Sequence, residues 1–227
     1  MSRFESVPNF SEGRDPAKVD AIAAAARAVP GVTVLDVERN GDHNRSVISL
    51  VGEGDPLLEA LFRMMEVAVR LIDLRTHVGE HPRMGATDVV PFVPLGTATM
   101  AEAVRLSERL GERVARELGI PVYLYAASAR VPERSDLAYV RKGQFEGIRD
   151  TIATDPGRRP DFGEARLHST AGAVAIGARP VLIAFNVNLA TPDVSIAKKI
   201  AKTVRARDGG LPEVKALGFE LKERGLS

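Results

Sequence analysis

Residues 32–72 read VTVLDVERNGDHNRSVISLVGEGDPLLEALFRMMEVAVRLI, and the periodicity of this stretch decides the fold class. Residues 32–37 and 46–51 are rich in β-branched side chains, which pack well on a pleated surface, and they predict two strands. The polar residues 38–45 read as the loop between them. Asp55-Pro56 then predicts a helix start, because an N-cap aspartate accepts from the free amides of the first turn and proline lacks only an N–H that no carbonyl would accept. Leu57, Leu58, Leu61, Met64, Ala68, Leu71 and Ile72 recur at helical spacing and form one apolar stripe. Met64 belongs to that stripe and reads as core packing. Two strands followed by an amphipathic helix bury their apolar faces only by layering, so a sheet covered by helices is expected.

The same grammar extends in both directions. Upstream, residues 3–7 read as a first strand and residues 9–13 as a polar turn. Asp15-Pro16 opens a helix whose Val19, Ile22, Ala23, Ala26 and Val29 face inward, and Pro30-Gly31 ends it. Downstream, residues 88–95 read as a strand, and Pro91 and Pro94 predict that it lies at an edge or a strand end. A helix over 99–118, a strand over 121–125 and a helix over 135–153 interrupted at Gly143 follow. Residues 154–172 form a long irregular stretch, which in a compact domain is usually functional or disordered. Residues 181–189 predict a strand, 191–207 a helix with Val194, Ala197, Ile200, Ala201 and Val204 inward, and 214–221 a last strand. The pattern is an α/β (α+β) layered fold. A fresh strand–helix–strand unit begins near residue 180, which predicts two domains, 1–179 and 180–227.

Composition narrows the function classes. The net charge of +1 supplies no global field toward nucleic acid or an anionic membrane, so neither partner is expected. Without cysteine there are no disulfides and no thiolate metal sites, which suits a reducing, cytoplasmic setting. No apolar run approaches the roughly 20 residues that span a bilayer.

Chemistry concentrates in residues 77–88, His-Val-Gly-Glu-His-Pro-Arg-Met-Gly-Ala-Thr-Asp, which hold two of the four histidines. Three readings compete. His77-Val-Gly-Glu-His81 fits the H-x-x-E-H pattern of a zinc hydrolase, but that pattern needs a helix, and Gly79 and Pro82 both oppose one. The histidines can instead make ordinary loop hydrogen bonds. The third reading is general acid/base catalysis by one histidine, oriented by Glu80 or Asp88, with Arg83 holding an anionic substrate. His81 is favoured over His77 because Pro82 fixes it more rigidly. Asn9, Ser11 and Glu12, between a strand and a helix start, are candidates to hold an anionic group, and Arg45 is a candidate substrate contact. His43 reads as a surface residue.

These segments resemble a known family. Val7-Pro-Asn-Phe-Ser-Glu-Gly13, Asn44-Arg45, His77-Val-Gly-Glu-His-Pro-Arg-Met-Gly85 with Asp88, Pro91-Phe92, Pro121-Val-Tyr-Leu-Tyr125, Pro160-Asp-Phe-Gly163, Gly172, Gly177-Ala-Arg179 and residues 182–188 occur in the order found in the formiminotransferase domain of the formiminotransferase-cyclodeaminase family. The resemblance implies a folate-dependent transferase. It would move a formimino group from N-formimino-L-glutamate to N5 of tetrahydrofolate, in histidine degradation and one-carbon metabolism, with tetrahydrofolate as co-substrate and no metal. A relative that transfers a formyl group or uses 5-formyltetrahydrofolate, or a catalytically silent folate-binding module, fits the same motifs. The resemblance assigns the catalytic role to His81. It assigns folate binding to Gly163, Glu164, Ala165, Arg166, Leu167, His168, Ser169, Thr170, Ala171 and Gly172. It further implies two similar subdomains of mixed sheet, facing each other, with helices outside. Family members continue past the position of Ser227, so an uncovered apolar sheet surface is expected, which favours a homodimer, a partner polypeptide or a chain that is only part of a longer one.

Overall fold

The computed structural model describes residues 2–183 and 185–220. In chain order the elements are β1 (Arg3–Ser6), β2 (Asn9–Phe10), α1 (Pro16–Arg27), β3 (Val32–Asn40), β4 (Arg45–Glu53), α2 (Gly54–Leu71), β5 (Thr87–Leu95), α3 (Met100–Leu118), β6 (Val122–Ala126), α4 (Leu137–Val140), α5 (Gln144–Thr151), β7 (Val174–Ala178) and α6 (Val194–Val204). The chain is a mixed α/β fold. It divides into two compact units, Met1–Val181 and Leu182–Ser227.

In the first unit the sheet runs β3, β4, then β1 and β2 end to end, then β5, β7 and β6. The half from β3 to β5 is antiparallel, and β5, β7 and β6 are parallel. Helices α1, α2 and α3 cover one face. Ile22 and Ala26 of α1, Leu57, Leu61, Met64 and Met65 of α2, and Leu110 and Val114 of α3 meet Ile48, Leu50, Val90, Phe92, Val122 and Ile176 of the sheet. The opposite face near β6 carries a smaller cluster, in which Val140, Ile148 and Ile152 pack on Tyr123, Tyr125, Val89 and Ala175. The caps follow the sequence. Asp15 accepts from the amides of Ala17 and Lys18, and Thr99 and Glu102 form a reciprocal capping box.

Several expectations are corrected. The strands around the 41–44 turn are longer than their β-branched cores, because the polar residues 38–40 continue the ladder as far as Asn40 opposite Arg45. Asn9 and Phe10, expected in a turn, pair as β2. Helix α2 has Glu53 rather than Asp55 at its N-cap position, without a side-chain capping bond, and Leu71 at its end is exposed. Strand β5 is central, not an edge. Pro91 is accommodated there because its missing N–H faces the gap between β1 and β2; its carbonyl, on that same side, accepts from Ser6 Oγ at 2.6 Å. Pro94 points the other way, beyond the end of the β7 ladder at Phe92. Strand β7 carries no sequence signal of the usual kind, being made largely of alanine and glycine. Its Gly177 is required, because a Cβ there would lie 2.2 Å from the Tyr125 carbonyl.

From the end of the first unit into the second, residues 181–183 and 185–189 form no strand, and Leu182, Ile183, Phe185 and Val187 are exposed. Helix α6 forms as expected under an Asp193 cap, but only Ala201 is buried on it and Ile200 is exposed. Residues 214–220 form no strand; residue 221, the end of that expected element, lies outside the described residues. Among the described residues no helix is long and apolar enough to cross a membrane.

Candidate active site

After α2 the chain runs without helix from residue 72 to 86, so the helix that the H-x-x-E-H pattern requires does not form. Instead the segment is laid between two neighbours. On one side lies the β3–β4 turn. Glu80 N donates to Asp42 O at 3.2 Å, Asn44 Nδ2 donates to Val78 O at 3.1 Å, and a Cβ on Gly79 would sit 2.3 Å from the His43 carbonyl. Asn44 takes the left-handed conformation at that turn, which asparagine tolerates better than most side chains. On the other side lie residues 170–173. Leu74 N donates to Thr170 O, Ala86 N to Ala171 O and Ala173 N to Met84 O. Gly172, at φ +70°, crosses the chain so closely that a Cβ would lie 2.2 Å from Met84 O.

Asp88, at the start of β5, organises the site. It is fully buried. Its Oδ1 accepts from Met84 N at 2.8 Å, and its Oδ2 accepts from Arg45 Nη1 at 3.0 Å and Arg141 Nη2 at 2.5 Å. The two guanidiniums and the Met84 amide outweigh the burial that would raise its pKa, and they hold it below the ordinary aspartate value. Arg45 is fully engaged: Nε and Nη2 donate to Asn9 Oδ1 at 3.0 and 2.7 Å, and Nη1 lies 2.9 Å from His81 Nδ1. Asp88 thus orients His81 through Arg45 rather than directly.

His81 is half-buried. Its Nδ1 also lies 2.7 Å from Pro82 O. Burial first, then the neighbouring Arg45 charge, push its pKa down to about 4, so the ring is neutral at physiological pH. His43 is not a plain surface residue, since its ring centroid lies 5.9 Å from that of His81. His77 faces Asn44 O at 2.9 Å through Nε2 and accepts from Arg83 Nε at 3.4 Å through Nδ1, which fixes the Nε2–H tautomer. Both of its ring nitrogens are occupied, which again disfavours a metal pair with His81.

The other predicted residues fall into two groups. Arg83 grips Glu146 with both terminal nitrogens, at 2.7 and 2.8 Å, so its fork is already filled. Ser11 donates to Gly85 O at 2.7 Å, and Glu12 accepts from the amides of Arg14 and Asp15 and from Lys18 Nζ. Ser11 and Glu12 are buried and shape the loop from behind, while Asn9 braces Arg45. Glu80 is exposed. In the 163–172 segment Gly163, Glu164, Arg166 and Ser169 are exposed; Ala165, Leu167, His168 and Thr170 are half-buried; Ala171 and Gly172 are buried against residues 84–86. His168 closes the end of this segment, its Nδ1 accepting from Ala171 N at 3.0 Å.

Sequence reasoning missed Arg141, which reaches Asp88 from the end of α4. It also missed the buried pair Arg134–Asp161 at 2.7 Å, which ties the 156–161 loop to β6 through Leu124 N. Arg134 and Arg141 carry no local signal, one arginine among many. Asp161 sits in the Pro-Asp-Phe-Gly motif and could have been singled out.

The description "Formiminotransferase domain, N-terminal subdomain" matches residues 3–179. A glutamate formimidoyltransferase of Streptococcus pyogenes serotype M1 is 49% identical over 223 residues, covering 98% of this chain and 74% of that protein. Its namesake in Thermoplasma acidophilum is 50% identical over 228 residues, covering 100% and 75%. The formimidoyltransferase-cyclodeaminase of Sus scrofa is 40% identical over 228 residues, covering 98% of this chain and 42% of its own length. By the span and the level of these matches, the chain belongs to the formiminotransferase family.

Proposed function

We propose that the protein transfers the formimino group of N-formimino-L-glutamate to N5 of tetrahydrofolate, with His81 as general acid and base. N5 attacks the amidine carbon and the N5–C bond forms. The N5 proton passes to His81 and from there to the glutamate nitrogen, whose bond to carbon breaks. The products are 5-formiminotetrahydrofolate and L-glutamate, and neither electrons nor protons are left over.

The observation that carries this reading is the position of His81 Nδ1 between a carbonyl acceptor, Pro82 O, and a guanidinium donor, Arg45 Nη1. With the proton on Nδ1 the ring donates to Pro82 and Nε2 is a base. Once Nε2 has taken the N5 proton, the ring is an imidazolium whose Nε2–H is the acid. The Nδ1–H keeps Pro82 O as its partner in both states, and the low pKa makes the imidazolium a ready donor to the leaving nitrogen. Residues 163–172 supply the folate contacts in this reading. Support comes from the packing of Ala171 and Gly172 on residues 84–86, a few positions from His81, with the polar side chains of Glu164, Arg166 and Ser169 exposed.

The same reading places the enzyme in the cytoplasm and makes residues 180–227 the opening of a second subdomain. The exposed apolar side chains of Leu182, Ile183, Phe185 and Val187 support a homodimer. Replacing His81 by alanine should lower turnover by about 10²–10⁴ while tetrahydrofolate still binds. Undiminished turnover in that variant removes His81 from its role.

A further inference from the structure

Arg141 takes part in the Asp88 cluster, yet its contacts differ from those of every other arginine around His81. Two guanidiniums share Oδ2 of one carboxylate whose other oxygen already accepts from Met84 N. The cluster therefore holds a surplus positive charge out of bulk water, an arrangement that a further anion would relieve. Arg45 is committed through all three nitrogens to Asn9, Asp88 and His81, and Arg83 is committed to Glu146. Arg141 instead gives Nη2 to Asp88, and its Nε is buried with no partner among the described residues. A guanidinium presents its donors as a fork that fits a carboxylate.

We propose that Arg141 is the residue that binds a carboxylate of the formimino donor, the one borne by the carbon next to the reacting nitrogen. The proposal rests on the formimino-transfer reading. Both the donor and the glutamyl tail of folate carry carboxylates, and distance favours the donor. Three successive contacts of 2.9, 3.0 and 2.5 Å link His81 Nδ1, Arg45 Nη1, Asp88 Oδ2 and Arg141 Nη2. A carboxylate two bonds from the reacting nitrogen fits that short span. The carboxylates of folate lie beyond its aminobenzoyl ring, on the order of 10 Å or more from N5. Arg141 is thereby a specificity residue for an α-amino-acid donor.

The test uses the full chain, wild type and Arg141→Gln, with two donors: N-formimino-L-glutamate, and N-formimino-4-aminobutyrate, which lacks the α-carboxylate. Arg141→Gln should raise KM for formiminoglutamate roughly 10- to 100-fold, the worth of a charge-assisted hydrogen bond. KM for tetrahydrofolate should stay within about twofold, and the truncated donor should lose far less than formiminoglutamate does. Arg141→Lys, which keeps a cation on Asp88 but loses the fork, should shift the donor KM in the same direction and carries the test if the glutamine variant fails to fold. An unchanged donor KM overturns the proposal. So does a rise in KM for tetrahydrofolate instead, which makes the carboxylate that of folate, or an equal loss with the truncated donor, which makes Arg141 merely structural. Calorimetric titration with formiminoglutamate alone separates the two levels. Arg141-dependent donor binding without transfer sinks the transfer reading and keeps the site; transfer with donor binding indifferent to Arg141 does the reverse.

Discussion

Asp88 carries more of the site than any other single side chain, because one buried carboxylate fixes two arginines and the amide of Met84. Truncating one partner of such an arrangement leaves the other charges buried and uncompensated, at a cost of about 3–5 kcal/mol. Asp88→Ala should therefore lower the urea midpoint steeply, and Asp88→Asn, which keeps an acceptor for Met84 N, should lower it less. Equal midpoints for wild type and Asp88→Ala would mean that the cluster does not hold the site. His81 gives a second prediction at this scale. Its pKa of about 4 places the acid limb of the kcat/KM profile near that value rather than at the ordinary histidine value, since activity needs the neutral ring. Arg45→Gln removes a cation that opposes protonation, so the limb should move upward; a limb that stays in place contradicts the pairing. The clustering of His81 and Asp88 was legible in the sequence, because glycine, proline, histidine and carboxylate crowd into twelve positions. Arg141 was not. It stands 53 residues from Asp88 along the chain and becomes part of the site only when α4 packs on β6.

The elements show where local grammar suffices and where tertiary context overrides it. Helices α1 and α3 were legible from caps and periodicity, and Asp15→Ala should cost about 1 kcal/mol of stability through the lost N-cap. Strand β5 defied its prolines because the break between β1 and β2 falls opposite Pro91, a coincidence of register that one strand alone cannot announce. Strand β7 was invisible for the opposite reason. Buried on both faces and closely approached by Tyr125, it needs small residues rather than the β-branched ones that mark strands. Residues 181–189 gave the conventional strand signal, and residues 181–183 and 185–189 form none. The crossing of residues 84–86 with 171–173 is the joint between the His81 loop and the 163–172 segment. Gly172→Ala meets both a left-handed φ and the Met84 carbonyl, and should destabilise by on the order of 2–4 kcal/mol. Thermal melting that is unchanged in this variant would show that the crossing is looser than described.

At the scale of the whole molecule, the histidines link stability to pH. His77, His81 and His168 all have pKa values below the ordinary one, with burial as the leading cause. The unfolded chain takes up protons at its ordinary histidine pKa before the folded chain does, so stability is fullest above about pH 6.5 and is lost as pH falls toward about 4. His81 alone contributes about 3 kcal/mol to that loss at the acid end. Asp88, whose pKa is lowered, deepens the loss at still lower pH. Urea midpoints measured down this range should fall steadily; a rise on acidification would contradict the buried, neutral histidines. The account as a whole stands on formimino transfer by this chain. Incubating it with N-formimino-L-glutamate and tetrahydrofolate, and following 5-formiminotetrahydrofolate against released L-glutamate, should show the two appearing in equal amounts over many turnovers. Neither product appearing, under conditions in which the Streptococcus pyogenes relative turns over, would contradict it.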